Sequence, residues 1–414
     1  MGSHTPSVAV PPNVQTQTGA AAVVLTAGVI AAVHVGKLPP AIPVLRAEWG
    51  VGLVEAGFLL SLVQVAGMAL GLVGGAFADR WGLRRTAALG LLVLGAGSLI
   101  GAMAPGLYAL LVARALEGVG FLMVVLPCPG LLRHLVRGPA DTGRWLGFWG
   151  AYMPLGAALG LLLGPWGYSA MGWRWSWALL ATATAGWAWV LWRQVPPVVD
   201  GPVGGQGWWL AVRHNARATL RSPGPWYLAL GFWVYSGQWL AVVGFLPTVY
   251  NALGWSAVAV GWLSALAAAV NMVGNIGAGV LAARGVWPAR VLVIAYAAMA
   301  VAAYLAFAGW EAPWARYLAV LLFSAVGGLV PGTLFGLAVK LAPTPTTVST
   351  TVGWMQQLSA LGQFVGPPMV GWVAATMGGW THTWVFNAAC CLGGLVLAWR
   401  VHALMRTGVV PVRG

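Results

Sequence analysis

Two cations lie inside otherwise apolar runs of this chain, each beside a group able to hold or move a proton. Lys37, one of only two lysines, follows His34 by three residues, so on a helix both side chains point the same way. Arg114 precedes Glu117 by three, a spacing at which the two can pair. Lys37 lies nine residues before Arg46, which on a helix places it ~14 Å below that end. Between them, Pro39, Pro40 and Pro43 free the carbonyls of Val35, Gly36 and Pro39 from helix bonding. Freed carbonyls are tolerated in an apolar setting only inside protein or against a wet cavity. Both observations turn this face toward a central cavity. The alternative is that Lys37 lies nearer the outer interface and the prolines end the helix early.

The elements that carry these groups must cross a membrane. Of 414 residues, 60% are hydrophobic and 7% charged, against about 25% charged in a soluble domain. Too little polar surface exists to cover a soluble globule. The 59 Gly allow close helix approach and the 26 Trp favour a headgroup interface. A spanning helix needs roughly 20 mostly apolar residues. Twelve segments qualify, near 19–45, 51–77, 84–104, 107–133, 142–167, 174–194, 225–251, 256–283, 288–309, 314–340, 346–374 and 382–405. The net charge of +14 could suggest nucleic acid, but the basic residues lie in short connectors. All but five of the 21 fall on the side that holds both termini; Arg46, Arg174 and Arg316 lie opposite, and Lys37 and Arg114 lie within spans. The positive-inside rule makes the crowded side cytoplasmic, in the inner membrane. The expected partner is the bilayer, not nucleic acid. Cys128, Cys390 and Cys391 sit in apolar runs with neither disulfide nor metal-ligand spacing, so no metal or other cofactor is expected.

The spans form two copies of one unit. At an offset of 204 residues, Pro43 recurs as Pro247, Gly57 as Gly261, Gly75 as Gly279 and Pro127 as Pro331. Later the offset drifts: Gly164-Pro165 returns as Gly366-Pro367, and Gly172-Trp173 as Gly379-Trp380. Punctuation residues set breaks and close contacts, so matching them matches backbone geometry. The expected fold is an all-α membrane protein with two pseudo-symmetric six-helix bundles, 19–195 and 225–406. Residues 1–18 and 407–414 are cytoplasmic tails, the first expected to be disordered, and 196–224 a cytoplasmic linker. Its second part, RHNARATLR, reads as an interfacial helix.

The connector after the second span reads Gly75-Ala-Phe-Ala-Asp79-Arg80-Trp-Gly82-Leu-Arg84-Arg85. It resembles the G-x-L-a-D-R-x-G-r-k signature of the major facilitator superfamily. Arg114-Ala-Leu-Glu117-Gly118-Val-Gly120 resembles that family's R-x-x-q-G-x-G, with Glu where Gln is usual; Gly147, Gly156, Gly160 and Gly164-Pro165 resemble its Gly-rich fifth span. The resemblance implies a secondary transporter working by alternating access, and no enzyme. It makes Asp79, with Arg80, Arg84 and Arg85, a gate element. It also links Arg114 to proton coupling in some antiporters. In the second copy Asp79 becomes Ala283 while Arg284 is kept, so that copy is degenerate. Leu246-Pro247, Gly327-Gly328…Pro331 and Met355-Gln356-Gln357…Gly366-Pro367 look like the cyanate/nitroimidazole (CynX/NimT-type) transporters within the superfamily.

The acidic side of the inventory is nearly empty. Of the seven carboxylates, only Glu117 lies deep, and the second bundle has none inside a span. That argues against a carrier of cations. A cavity holding Lys37, Arg114 and His34 would suit a small anion. The expected function is transport of a small, anionic solute by a monomer, coupled to protons, with Glu117 and His34 as coupling candidates. Tyr152, Tyr235, Gln238, Gln356 and Gln357 are the uncharged candidates for solute contact. Each of these, and His34, is as readily helix–helix glue, and Arg114 as readily a structural partner of Glu117. Two alternatives stand beside this reading. One is efflux of neutral or amphipathic compounds between Trp and Met walls. The other is copper or other metal import through Met123, Cys128, Met153, Met272 and Met355. No nucleotide loop, H-E-x-x-H or nucleophile elbow appears.

Overall fold

The computed structural model describes residues 17–136, 139–197, 208–308 and 312–406, and their regular structure is helical throughout. Nine stretches among them are long and apolar enough to cross a bilayer, ten if a bent pair, Arg144–Gly150 and Tyr152–Gln194, counts as one span. That pair holds two spans. Gly172 interrupts Tyr152–Gln194 with a left-handed backbone, φ 78° and ψ 158°. A straight helix would part residues nine apart by ~13.5 Å, yet the Trp177 indole N–H donates to the Tyr168 hydroxyl at 2.9 Å. The chain therefore doubles back at Gly172, where glycine alone avoids a Cβ penalty. With Val348–Thr376, a 29-residue helix, the spans number twelve among the described residues.

We number them in chain order. Span 1 is Thr18–Gly36 and Leu38–Trp49, span 2 Leu53–Ser61 and Val65–Trp81, span 3 Leu83–Ala102, and span 4 Leu107–Val125 and Cys128–Leu135. Span 5 is Pro139–Gly150 with 152–171, and span 6 is 173–194. Span 7 is Pro223–Ala252, span 8 Ala257–Ala269 and Asn271–Ala283, span 9 Pro288–Phe307, span 10 Pro313–Gly327 and Leu329–Leu341, span 11 Val348–Thr376 and span 12 Thr383–Arg406. A helix over Trp208–Arg221 joins the halves, where the basic linker segment led one to expect it.

Packing repeats between the halves. Spans 1 and 5 pack together, as do 7 and 11; span 3 packs on 4 and 6, as span 9 does on 10 and 12. Glycines permit the closest approaches. A Cβ on Gly164 would lie 2.6 Å from Pro40 of span 1, and one on Gly237 of span 7 would lie 2.6 Å from the Gly362 carbonyl of span 11. Between bundles, span 2 meets 11 and span 8 meets 5. A Cβ on Gly57 would fall 2.6 Å from the Pro368 backbone, and one on its repeat mate Gly261 would fall 3.3 Å from Pro165. The same glycine–proline seam is thus used twice, as a pseudo-twofold requires.

The two ends of the bundle differ. At the arginine-poor end, Leu38, Ile42, Leu45 and Leu60 of the first bundle share an apolar cluster with Ala241, Phe245 and Val370 of the second. Glu48, Trp49 and Arg174 bind there around Trp173, whose indole N–H donates to the Glu48 carboxylate at 3.2 Å. At the arginine-rich end, Arg84 donates to the Val195 carbonyl at 3.0 Å and lies 4.2 Å over the Trp192 ring. It thereby anchors the end of span 6. Arg84→Ala is expected to lower stability in detergent by about 1 kcal/mol, and Arg84→Lys to recover part of it. Thermal unfolding of the purified variants measures this.

Candidate functional site

Span 1 breaks at Lys37, between Thr18–Gly36 and Leu38–Trp49, where the prolines withhold their N–H groups. Span 2 breaks at a 3-10 turn over Leu62–Gln64. Arg114 on span 4 closes both gaps, donating from Nη1 to the His34 carbonyl at 3.0 Å and from Nε to the Leu59 carbonyl at 3.2 Å. The Tyr168 hydroxyl caps the Lys37 carbonyl. Protein side chains thus bond the backbone on both sides of the break, at the His34 and Lys37 carbonyls.

The Lys37 side chain runs into the first bundle. Its Nζ lies 2.6 Å from Glu117 Oε1, donates to Ser98 Oγ at 2.6 Å, and sits 3.3 Å from His34 Nδ1 and 4.2 Å from the Trp177 ring centroid. The other carboxylate oxygen, Oε2, accepts from Arg114 Nη1. His34 Nε2 is 2.9 Å from Thr184 Oγ1, and Ser98 Oγ donates on to the Trp177 carbonyl at 3.2 Å. Spans 1, 3, 4 and 6 therefore meet in one dry cluster. His34, Arg114, Glu117, Ser98 and Thr184 have no solvent exposure at all, and Lys37 has 3%.

This corrects one expectation. Lys37 and His34 do not face a central cavity between the bundles; they turn inward because a buried cation gains most from its carboxylate and hydroxyl partners. Nor does Lys37 end its span at an interface. Glu117 serves Lys37 and Arg114 together, so the cluster carries two cations to one carboxylate. Arg114 Nη2 is buried with no hydrogen-bond partner among the described residues.

The second bundle is built without such charge. Among the described residues, Lys37, Arg114 and Glu117 are the buried Lys, Arg, Asp or Glu side chains, and all belong to the first bundle. Ala241, the repeat mate of Lys37, is fully buried. Gln238, the mate of His34, accepts from Cys391 on span 12 at 3.4 Å, as His34 meets Thr184 on span 6. Fold alone does not require the charges.

The remaining candidates scatter. Tyr152 is half-buried and stacks on Trp149, centroids 4.3 Å apart. Tyr235 accepts from Asn271 Nδ2 at 2.9 Å inside the second bundle. Gln357 crosses between bundles, its Oε1 accepting from the Leu72 amide of span 2 at 2.8 Å. Gln64 makes a second crossing, donating to Gln363 at 3.0 Å. Gln356 is half-buried nearby on span 11, and Arg85 is exposed. The side chains of Asp79 and Arg80 lie outside the described residues. Of the metal candidates, Cys128 is buried, its Sγ 3.9 Å from the Val24 carbonyl, and Met355 is fully buried. Sequence reasoning missed Ser98, Tyr168, Trp177 and Thr184. Each is an ordinary polar or aromatic residue in an apolar run, with nothing in its spacing to single it out.

Twelve spans in two matched bundles, joined by a repeated glycine–proline seam, define a transporter built from two similar halves. The profile of the Major Facilitator Superfamily matches residues 24–367. The chain belongs to that family: it is an integral membrane transporter of small molecules and not an enzyme. It is similar to the cyanate transport protein CynX of Escherichia coli (strain K12), 26% identical over 377 residues, covering 87% of this chain and 91% of the relative. It is also similar to the multidrug resistance protein MdtH of Yersinia enterocolitica, 32% identical over 229 residues but covering 54% of each chain. Among solved structures, a bacterial homolog of the human lysosomal transporter Spinster, in an inward-facing and occupied conformation, matches with a TM-score of 0.74 at 15% identity, covering 95% of this chain and 97% of that one. The unoccupied form of that homolog matches with a TM-score of 0.69.

Proposed function

We propose that this protein carries a small anionic solute across the bacterial inner membrane by alternating access, coupled to protons, with both termini in the cytoplasm. The observation that carries the reading is the excess of buried positive charge. Lys37 and Arg114 share one carboxylate, and a guanidinium nitrogen stays unpartnered. Buried polar groups of native proteins are nearly always satisfied, and an excess cation in a low-dielectric interior draws anions toward it. The solute sits between the bundles under this field, near Tyr152, Gln356 and Gln357, and the cluster acts on it electrostatically. Glu117 and His34, 4.0 Å apart, are the groups that exchange a proton as the Lys37 pair opens. The resemblance to a cyanate carrier over most of the chain supports the anion class. Asp79, Arg80, Arg84 and Arg85 form the gate on the arginine-rich side.

A second reading is favoured by the shorter match to a multidrug resistance protein. It makes the solute neutral or amphipathic. Uptake into proteoliposomes separates the two. Cyanate and nitrate should accumulate under an imposed pH gradient, and an uncharged dye should not. Lys37→Gln leaves Arg114 and Glu117 paired, so it should stay folded yet lose at least tenfold in anion uptake, with Lys37→Arg keeping part. Undiminished uptake by Lys37→Gln, or dye transport alone, removes the anion assignment.

A further inference from the structure

An open cleft of about 580 Å³ lies at the arginine-rich end of the second bundle, lined by Arg284, Trp287, Arg290, His402 and Arg406 with Gly285 and Val286. It lies where spans 8, 9 and 12 end. Trp287 holds His402 in place, its indole N–H donating to Nδ1 at 2.9 Å. Nδ1 is thereby the acceptor, which leaves Nε2 to carry the ring proton. No carboxylate lines the cleft among the described residues.

Three cations gathered without a carboxylate repel one another. Arg290 adds to the cost, because it stands in the first turn of span 9, at the positive end of a 20-residue helix with no acidic residue in that turn. The repeat explains how the gap arose. In the first half this connector carries Asp79; in the second the matching residue is Ala283, while the arginine after it is kept. The second connector therefore carries no carboxylate at the position where the first has one.

We infer that a phosphate-bearing anion, the headgroup of an acidic phospholipid, occupies this cleft. Arginines and a helix N-terminus are the groups that recognise phosphate, and basic pockets between membrane helices take acidic headgroups. The apolar flank argues for a lipid over free phosphate. Next along spans 9 and 12 are Val293, Ile294, Val396 and Trp399, each at least 41% exposed. A headgroup held by Arg290 and Arg406 lays its chains on that surface.

Native mass spectrometry of the detergent-purified protein tests this with dioleoyl phosphatidylglycerol and dioleoyl phosphatidylcholine. The parent should retain the glycerol lipid at least tenfold better. Arg290→Gln/Arg406→Gln should retain the two lipids equally while unfolding at the parent's temperature. Arg213→Gln/Arg217→Gln, which removes the same charge from the linker helix, should keep the parent's preference. Inorganic phosphate at millimolar concentration should not displace the lipid. Equal retention by the parent, an unchanged preference in the cleft variant, or equal loss in the linker variant overturns the proposal. Displacement by inorganic phosphate reassigns the cleft to a soluble anion and overturns the lipid.

Discussion

Glu117→Gln is expected to be the most damaging single substitution in the chain. It removes the one carboxylate that Lys37 and Arg114 share, leaving two cations buried without compensation. Breaking a buried pair in this way typically costs about 3–5 kcal/mol, and transport should vanish with it. The double variant Lys37→Met/Glu117→Gln restores the parent's net charge in the cluster. Its thermal stability should return most of the way, and its transport should not. Unfolding temperatures of the three proteins in one detergent decide the point. A Glu117→Gln protein as stable as the parent would mean that Lys37 sheds its proton at little cost, and the charge-excess argument would fall.

The second large effect is mechanical. Gly57 meets the backbone of Pro367 and Pro368 across the bundle interface, with 2.6 Å left for a Cβ. Backbone on the far side cannot move as a flexible side chain can. Gly57→Leu should hold the arginine-poor end apart while leaving each bundle whole, because the contact lies between bundles. Leu60 is 1% exposed in the apolar cluster at that end. A cysteine at position 60 should react with a membrane-impermeant maleimide in the Gly57→Leu background at least tenfold faster than in the parent. Transport should drop by a similar factor. Equal labelling in the two backgrounds would show that this seam does not control the closed end.

The fold was largely legible because helix breaks and close contacts are written in Gly and Pro. Gly57 and Gly261 are visible in the sequence as repeat mates, as are Pro367 and Pro165, and in the structure they form one seam used twice, Gly57 against the Pro367–Pro368 backbone and Gly261 against Pro165. The site was legible in composition and not in direction. Lys37, His34, Arg114 and Glu117 stand out as ionisable residues in apolar runs. A helix apolar on every side gives no sign of which face meets which neighbour, so Lys37 seemed to face a cavity. Ser98 and Trp177, on spans distant in sequence, decide otherwise. The hairpin at Gly172 was foreseen as a connector near 168–173. Its tightness was not, because it rests on Tyr168 and Trp177 meeting side chain to side chain.

The interruption of span 1 at Lys37 gives the molecule a joint. Leu38, Ile42 and Leu45, beyond it, lie in the apolar cluster shared with the second bundle, while Thr18–Gly36 packs along span 5 of the first. Pro39 and Pro40 remove two helix bonds just past residue 37, the same residue whose ammonium is tied to Glu117. A bend of span 1 there would strain the Lys37–Glu117 pair at a single peptide, with no relay of contacts across the molecule needed to link shape to charge.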